Sequence, residues 1–151
     1  MINTKNKPLH YGLYGEDDFL LTDFVHCETI GFRTKMHNMI IEEHIHTSLF
    51  QIFILESGRL DITIGSKEYL LSEPAIITVP ENTLHGMKAG KNAKGKVVTI
   101  STSFLENNSA HFHCSLHELT SPHVITAFDK MSSFEAIRLF IDNLCDEINS
   151  D

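Results

Sequence analysis

The chain has no tryptophan, and only three cysteines, four prolines and eight glycines among its 151 residues. So little glycine and proline excludes a collagen-like or low-complexity chain. Cys27, Cys114 and Cys145 are odd in number and far apart, so they make neither a C-x-x-C pair nor a disulfide framework. Each is expected to act as a small buried or half-buried hydrophobe in a reducing compartment. No apolar run approaches the roughly 20 residues of a membrane span, and the polar start Met1–Lys7 lacks the apolar core of a signal peptide. A cytoplasmic protein without membrane contact is the expectation. Positive charge is also scarce, with 12 basic against 20 acidic residues and a net charge of -8. DNA affinity comes largely from Lys and Arg neutralising phosphates, so a chain this acidic is a poor DNA binder by itself.

Histidine is abundant, with ten residues. The stretch from His44 to Gly58 sets His44 and His46 two apart, places Gln51 five residues on, and ends in Glu56-Ser57-Gly58. Side chains alternate faces along an extended chain, so His44 and His46 share a side. The β-branched and aromatic run Leu49–Leu55 reads as a strand closed by that turn. Downstream, Pro80-Glu81-Asn82-Thr83-Leu84-His85 follows the apolar run Ala75–Val79 and supplies a third histidine. Three histidines and a glutamine from separate strands can thus meet inside a small barrel.

In chain order, residues 1–18 read as a tail and arm, in which Tyr11 and Tyr14 alternate with glycines. Phe19–Ile30 reads as strand, with Phe24, His26, Glu28 and Ile30 on one face. Gly31-Phe32-Arg33 reads as a turn, and Met36–His46 as a second strand bent near Glu42-Glu43. Leu49–Leu55, Leu60–Ile64, Tyr69–Leu71, Ala75–Val79 and Val97–Ser101 complete a series of short, evenly punctuated strands, the mark of an all-β barrel or sandwich over residues 19–101. Residues 102–151 read as a helical segment of the same domain, with a helical turn at Phe104–Glu106 and a short helix over Ala110–Leu119. The spacing of Ser132 to Glu135 suits a capping box. Beyond it, Phe134, Ile137, Phe140, Ile141, Leu144 and Ile148 recur at three and four residues, as in an amphipathic helix.

The pattern H-x-H, four residues, Gln, six residues, Gly, then P-x-N-x-x-H resembles the two cupin motifs. Gln51 stands where that family carries Glu, Asn82 and Pro74 where it tends to have Gly, and Ala89 where it tends to have Asn. Asparagine tolerates the left-handed conformation a turn glycine supplies. More of the chain is similar to the effector domain of AraC-type transcription regulators, in particular those sensing 4-hydroxybenzoate or 4-hydroxyphenylacetate. The carrying residues are Y-G-L-Y-G-E at 11–16, H-C-E-T-I at 26–30, Arg33, His37-Asn38, H-I-H-T-S-L-F-Q-I-F at 44–53, A-I-I-T-V-P-E-N-T-L-H-G at 75–86 and G-K-V-V-T-I-S at 95–101. The resemblance spans about residues 11–148. It implies a mainly β fold, a jelly-roll-like cupin double-stranded β-barrel followed by C-terminal α-helices. It further implies a small effector, most simply an aromatic carboxylic acid, bound in the barrel, and a homodimer formed through the C-terminal helices. DNA would be reached only through a helix-turn-helix domain, which this chain lacks.

On this reading the ligand-binding set is His44, His46, Gln51, Phe53, His85, Arg33 and Tyr14, with no cofactor. Period two puts Gln51, Phe53 and Leu55 on the inner face. Arg33 leads as carboxylate partner because its planar fork matches an anion, against the plainer reading of a solvated surface charge. The alternative is a metal-dependent cupin enzyme, a dioxygenase or isomerase, with Zn, Ni or Fe on His44, His46, Gln51 and His85. A third reading is a stand-alone dimeric module that never touches DNA. His111, His113 and His117 lack the partners of a closed zinc site. Ser101 and Ser103 have no base and acid at informative spacing.

Overall fold

The computed structural model describes residues 9–10, 24–72, 74–111 and 116–150. Its strands are β1 (Leu9–His10), β2 (Val25–Thr29), β3 (Ile40–Ile45), β4 (Leu49–Ser57), β5 (Leu60–Ile64), β6 (Lys67–Leu71), β7 (Ala75–Val79), β8 (His85–Ala89), β9 (Lys94–Ser101) and β10 (His123–Ile125). Helices are α1 (Ile30–Lys35), α2 (Thr102–Asn107) and α3 (Met131–Ile148). Two five-stranded sheets form, in the order β1-β3-β8-β5-β6 and β10-β7-β4-β9-β2. They close on a core drawn from both, including Phe53, Leu55, Ile77, Val79 and Val97 from one sheet and Leu60, Ile62, Ile64 and Met87 from the other. This is the mainly β barrel with a C-terminal helix that the resemblance implies.

The strand β4 is buried along almost its whole length, not on alternate positions. Period two still holds: Phe53 and Leu55 point into the barrel, while Ile52 and Ile54 point out, under α3. A strand covered on both faces reads as a continuous apolar run. The cover is the face of α3 carrying Phe134, Ile141 and Cys145. Its other side leaves Ile137, Leu139 and Phe140 exposed.

Several local expectations change. The stretch read as a turn at Gly31-Phe32-Arg33 is the helix α1, because the Thr29 side chain accepts the Phe32 amide at 3.0 Å and caps it. Consequently β3 begins at Ile40, not Met36; the bend expected near Glu42-Glu43 is present as a register shift between Ile41 and His44. The helix α3 starts at Met131 without a side-chain cap, so Ser132 lies inside it and Glu135 instead meets Arg138 at 2.9 Å. Single 3-10 turns at Ser109–His111 and Leu116–Thr120 stand where one short helix was expected. The segment read as helical also adds β10 to the edge of β7.

The cysteines correct a further expectation. Cys27 of β2 and Cys145 of α3 form a disulfide across 118 positions of sequence, with Cα atoms 5.3 Å apart. Spacing in the sequence could not show that β2 lies under α3. Cys114 is outside the described residues.

Gly58, which ends β4, has φ +84, and a Cβ there would run into the backbone of Asn92. Both the left-handed conformation and the lack of space require glycine. Gly58→Ala is expected to cost at least about 1–2 kcal/mol, measured as a shift of the urea midpoint; an unchanged midpoint would show that the turn relaxes freely.

Candidate functional site

The strands β3 and β8 are neighbours, and their register sets His44 directly opposite His85. His46 follows just past the end of β3, and its carbonyl accepts the Asn82 amide at 2.7 Å. Asn82 takes φ +57, the left-handed turn conformation expected of it in place of glycine. From the opposite sheet, β4 contributes Gln51. All four side chains are buried. The ring centroids of His44 lie 4.3 Å from His85 and 4.7 Å from His46.

The hydrogen bonds orient the rings. His44 Nδ1 lies 2.8 Å from the Glu42 carbonyl, and His85 Nδ1 lies 2.9 Å from the Thr83 carbonyl. A carbonyl only accepts, so each Nδ1 carries a proton and donates it. In the neutral rings each Nε2 is then a bare lone pair pointing inward. There His44 Nε2 meets His46 Nε2 at 3.1 Å, and His85 Nε2 meets Gln51 Oε1 at 3.2 Å. The second contact sets two acceptors face to face, and the first does so unless His46 supplies a proton. Burial lowers the His44 pKa, and the nearby charge of Arg33 adds to that. Burial, reinforced by His44, pushes the His85 pKa down to about 3. Both rings are neutral at pH 7.

Neutral imidazoles with Nδ1 tied to backbone and Nε2 converging are what a divalent transition metal requires. One ligand atom from each of His44, His46 and His85 falls within 4.8 Å of the others, and no other such group occurs among the described residues. A cation there would also relieve the facing acceptors, with Gln51 Oε1 as fourth ligand. The donor set therefore fits a metal. Rotating the Gln51 amide relieves the His85 contact as well, and turns the same residues into a metal-free hydrogen-bonded network.

The other candidates divide. Phe53 faces inward but is fully buried in the core, so it packs the floor of the barrel. Arg33 is not a solvated surface charge: it is buried and ion-paired with Glu28, also buried. Tyr14 and His113 lie outside the described residues, and His117 is exposed on a 3-10 turn. Three participants were not singled out from sequence. Thr99 accepts the Gln51 amide at 3.3 Å, Glu28 pairs with Arg33, and His26 lies 3.8 Å from Glu28. For Thr99 the available signal was a lone hydroxyl in the apolar run Val97–Ile100. A separate cavity of about 260 Å³ opens by the β7–β8 turn and α2, lined by Phe50, Glu81, Leu105 and Leu119 among others, and contains none of the imidazoles.

A family model described as Cupin domain matches residues 36–101, and the fold is a cupin fold. No curated protein matches the chain. Solved structures similar to it include KdgF from Halomonas sp., at 21% identity and TM-score 0.37, covering 42% of this chain and 57% of that one. The Cnp3 cupin domain of Schizosaccharomyces pombe is 18% identical at TM-score 0.39, covering 50% and 56%. ToxT from Vibrio cholerae, in its unsaturated-fatty-acid-bound form, is 10% identical at TM-score 0.48, covering 81% and 47%. The chain thus aligns with about half the length of each of these proteins.

Proposed function

We propose that this chain is the effector-binding domain of an AraC-type transcription regulator and takes a small carboxylic acid, aromatic in the simplest case, into the barrel. The observation that carries the reading is the closed set of buried polar groups, His44, His46, His85, Gln51 and Thr99, pointing into one barrel interior. The buried carboxylate among the described residues, Glu28, is committed to Arg33, which leaves the imidazoles and the Gln51 amide as the hydrogen-bonding groups presented to a molecule inside. The order of motifs along residues 11–148 supports the regulator assignment. DNA contact belongs to a separate helix-turn-helix domain. A second copy would pair across the exposed side of α3, at Ile137, Leu139 and Phe140; sedimentation velocity finding only monomer at high concentration would remove that part. Calorimetric titration with hydroxylated aromatic acids tests the rest. Saturable heat is expected from at least one acid, and none from any of them, with the barrel folded, sinks the reading.

The second reading, a metal-dependent cupin enzyme, is favoured by the three converging Nε2 atoms. A bound ion on His44, His46, His85 and Gln51 would supply Lewis acidity and an open coordination position. Elemental analysis of purified protein separates the two. Under the enzyme reading about one transition metal per chain is expected, lost in His85→Ala; metal-free protein that still binds an acid favours the sensor.

A further inference from the structure

The barrel holds a second polar group beyond the imidazole cluster, and strand register locates it. Across one sheet Gln51, Thr99 and His26 lie side by side, and Phe53, Val97 and Glu28 form the next row. Phe53 and Val97 are core residues, so Glu28 faces the same interior. There it is ion-paired with Arg33, which α1 brings in from the neighbouring element, with His26 at 3.8 Å on its other side. Gln51, in the row next to Phe53, Val97 and Glu28, lies against His85, its Oε1 3.2 Å from His85 Nε2. The pair and the cluster therefore share one space. Cys27, between His26 and Glu28, points to the opposite face and is bonded to Cys145 of α3.

We propose that Glu28 is a resident stand-in for the ligand: an acid entering the barrel takes Arg33 from the Glu28 carboxylate, and the change in β2 is passed to α3. This rests on the effector-binding reading above and names the group that reads the acid. A buried guanidinium left without an anion is strongly disfavoured, so the empty domain needs an internal carboxylate. Exchanging one carboxylate for another keeps Arg33 paired, and an acid is then distinguished from its amide at this point. Glu28, once displaced, retains His26 beside it, a half-exposed side chain at the edge of the sheet. Any adjustment of β2 acts on α3 through Cys27–Cys145 directly.

The test is titration of the whole chain with 4-hydroxybenzoate, 4-hydroxyphenylacetate and their amides, for the wild type, Glu28→Gln and the double variant Glu28→Gln/Arg33→Met. Wild type is expected to prefer acid over amide by about 10- to 100-fold, the scale of a charged hydrogen-bonded contact. Glu28→Gln, which removes the competitor, is expected to bind acids more tightly with amides unchanged. The double variant, which leaves no charge at the pair, should show no preference; it remains decisive if Glu28→Gln, left with an unpaired buried guanidinium, does not fold. Backbone hydrogen exchange along Phe134–Cys145 should change when an acid binds. Acid binding with the same preference in all three proteins overturns the stand-in role and leaves the effector reading intact. No binding of any acid overturns both. Tight acid binding with unaltered exchange in α3 overturns the relay.

Discussion

Arg33→Met is expected to destabilise the domain by about 3–5 kcal/mol, the cost of leaving a buried charge without its partner. Glu28 would then lose its guanidinium and keep the half-exposed His26, 3.8 Å away, beside it on β2. A loss of that size is a large share of the stability of a domain. Glu28→Gln/Arg33→Met should recover most of it, since the double change removes the charge as well as its partner. Wild type, Glu28→Gln, Arg33→Met and the double variant form a double-mutant cycle, read from urea midpoints at constant slope. A double variant no more stable than Arg33→Met would show that the guanidinium matters through packing rather than charge. Because the pair is a stability element as well as a candidate recognition element, the single Arg33 variant cannot by itself distinguish the two, whereas the acid-against-amide preference can.

The sequence made the inner face of the barrel legible and left its walls obscure. His44, His46 and Gln51 declared themselves by period two and by the turn that follows, because alternation is a local property of an extended chain. His85 followed from the P-x-N-x-x-H turn, where Asn82 does adopt the left-handed conformation. Arg33 was visible as a type but not as a place. Gly31 suggests a turn, whereas the Thr29 hydroxyl accepts the Phe32 amide and turns that stretch into α1. The strand face of Glu28 follows from alternation, yet its partner Arg33 sits on α1, a helix that no apolar period marks. Phe53 was placed inward correctly, but whether an inward aromatic lines a pocket or fills a core depends on residues from the other sheet, such as Ile62 and Met87. The same limit explains Cys27 and Cys145. A pairing across 118 positions of sequence is a consequence of the closed fold, not of any local pattern.

Acid should begin to destabilise the metal-free domain through the histidine cluster at a pH above the range in which carboxylates titrate. His85 titrates at about 3 when folded, against the ordinary 6.5 when unfolded, mainly because burial disfavours the charged ring. Between those values the unfolded chain binds a proton that the native state refuses, so stability falls as pH falls from 6.5 towards 3. Above pH 6.5 the ring is neutral in both states and contributes no slope. At 1.36 kcal/mol per unit the loss from His85 alone is about 2 kcal/mol at pH 5 and about 4 kcal/mol by pH 3. His44, lowered for the same reason, adds in the same direction. The measurement is the urea midpoint from pH 8 to pH 4 for the wild type and for His85→Gln. Wild type should lose stability steadily below pH 6.5, and His85→Gln should lose distinctly less over the same interval. Parallel curves would mean that His85 is protonated in the native barrel, which would place an anion against the cluster. A bound metal changes the outcome in a recognisable way, because protons must then displace the ion. The acid transition would steepen, and adding the chelated metal back at constant pH would shift it, whereas the metal-free pocket responds to pH alone.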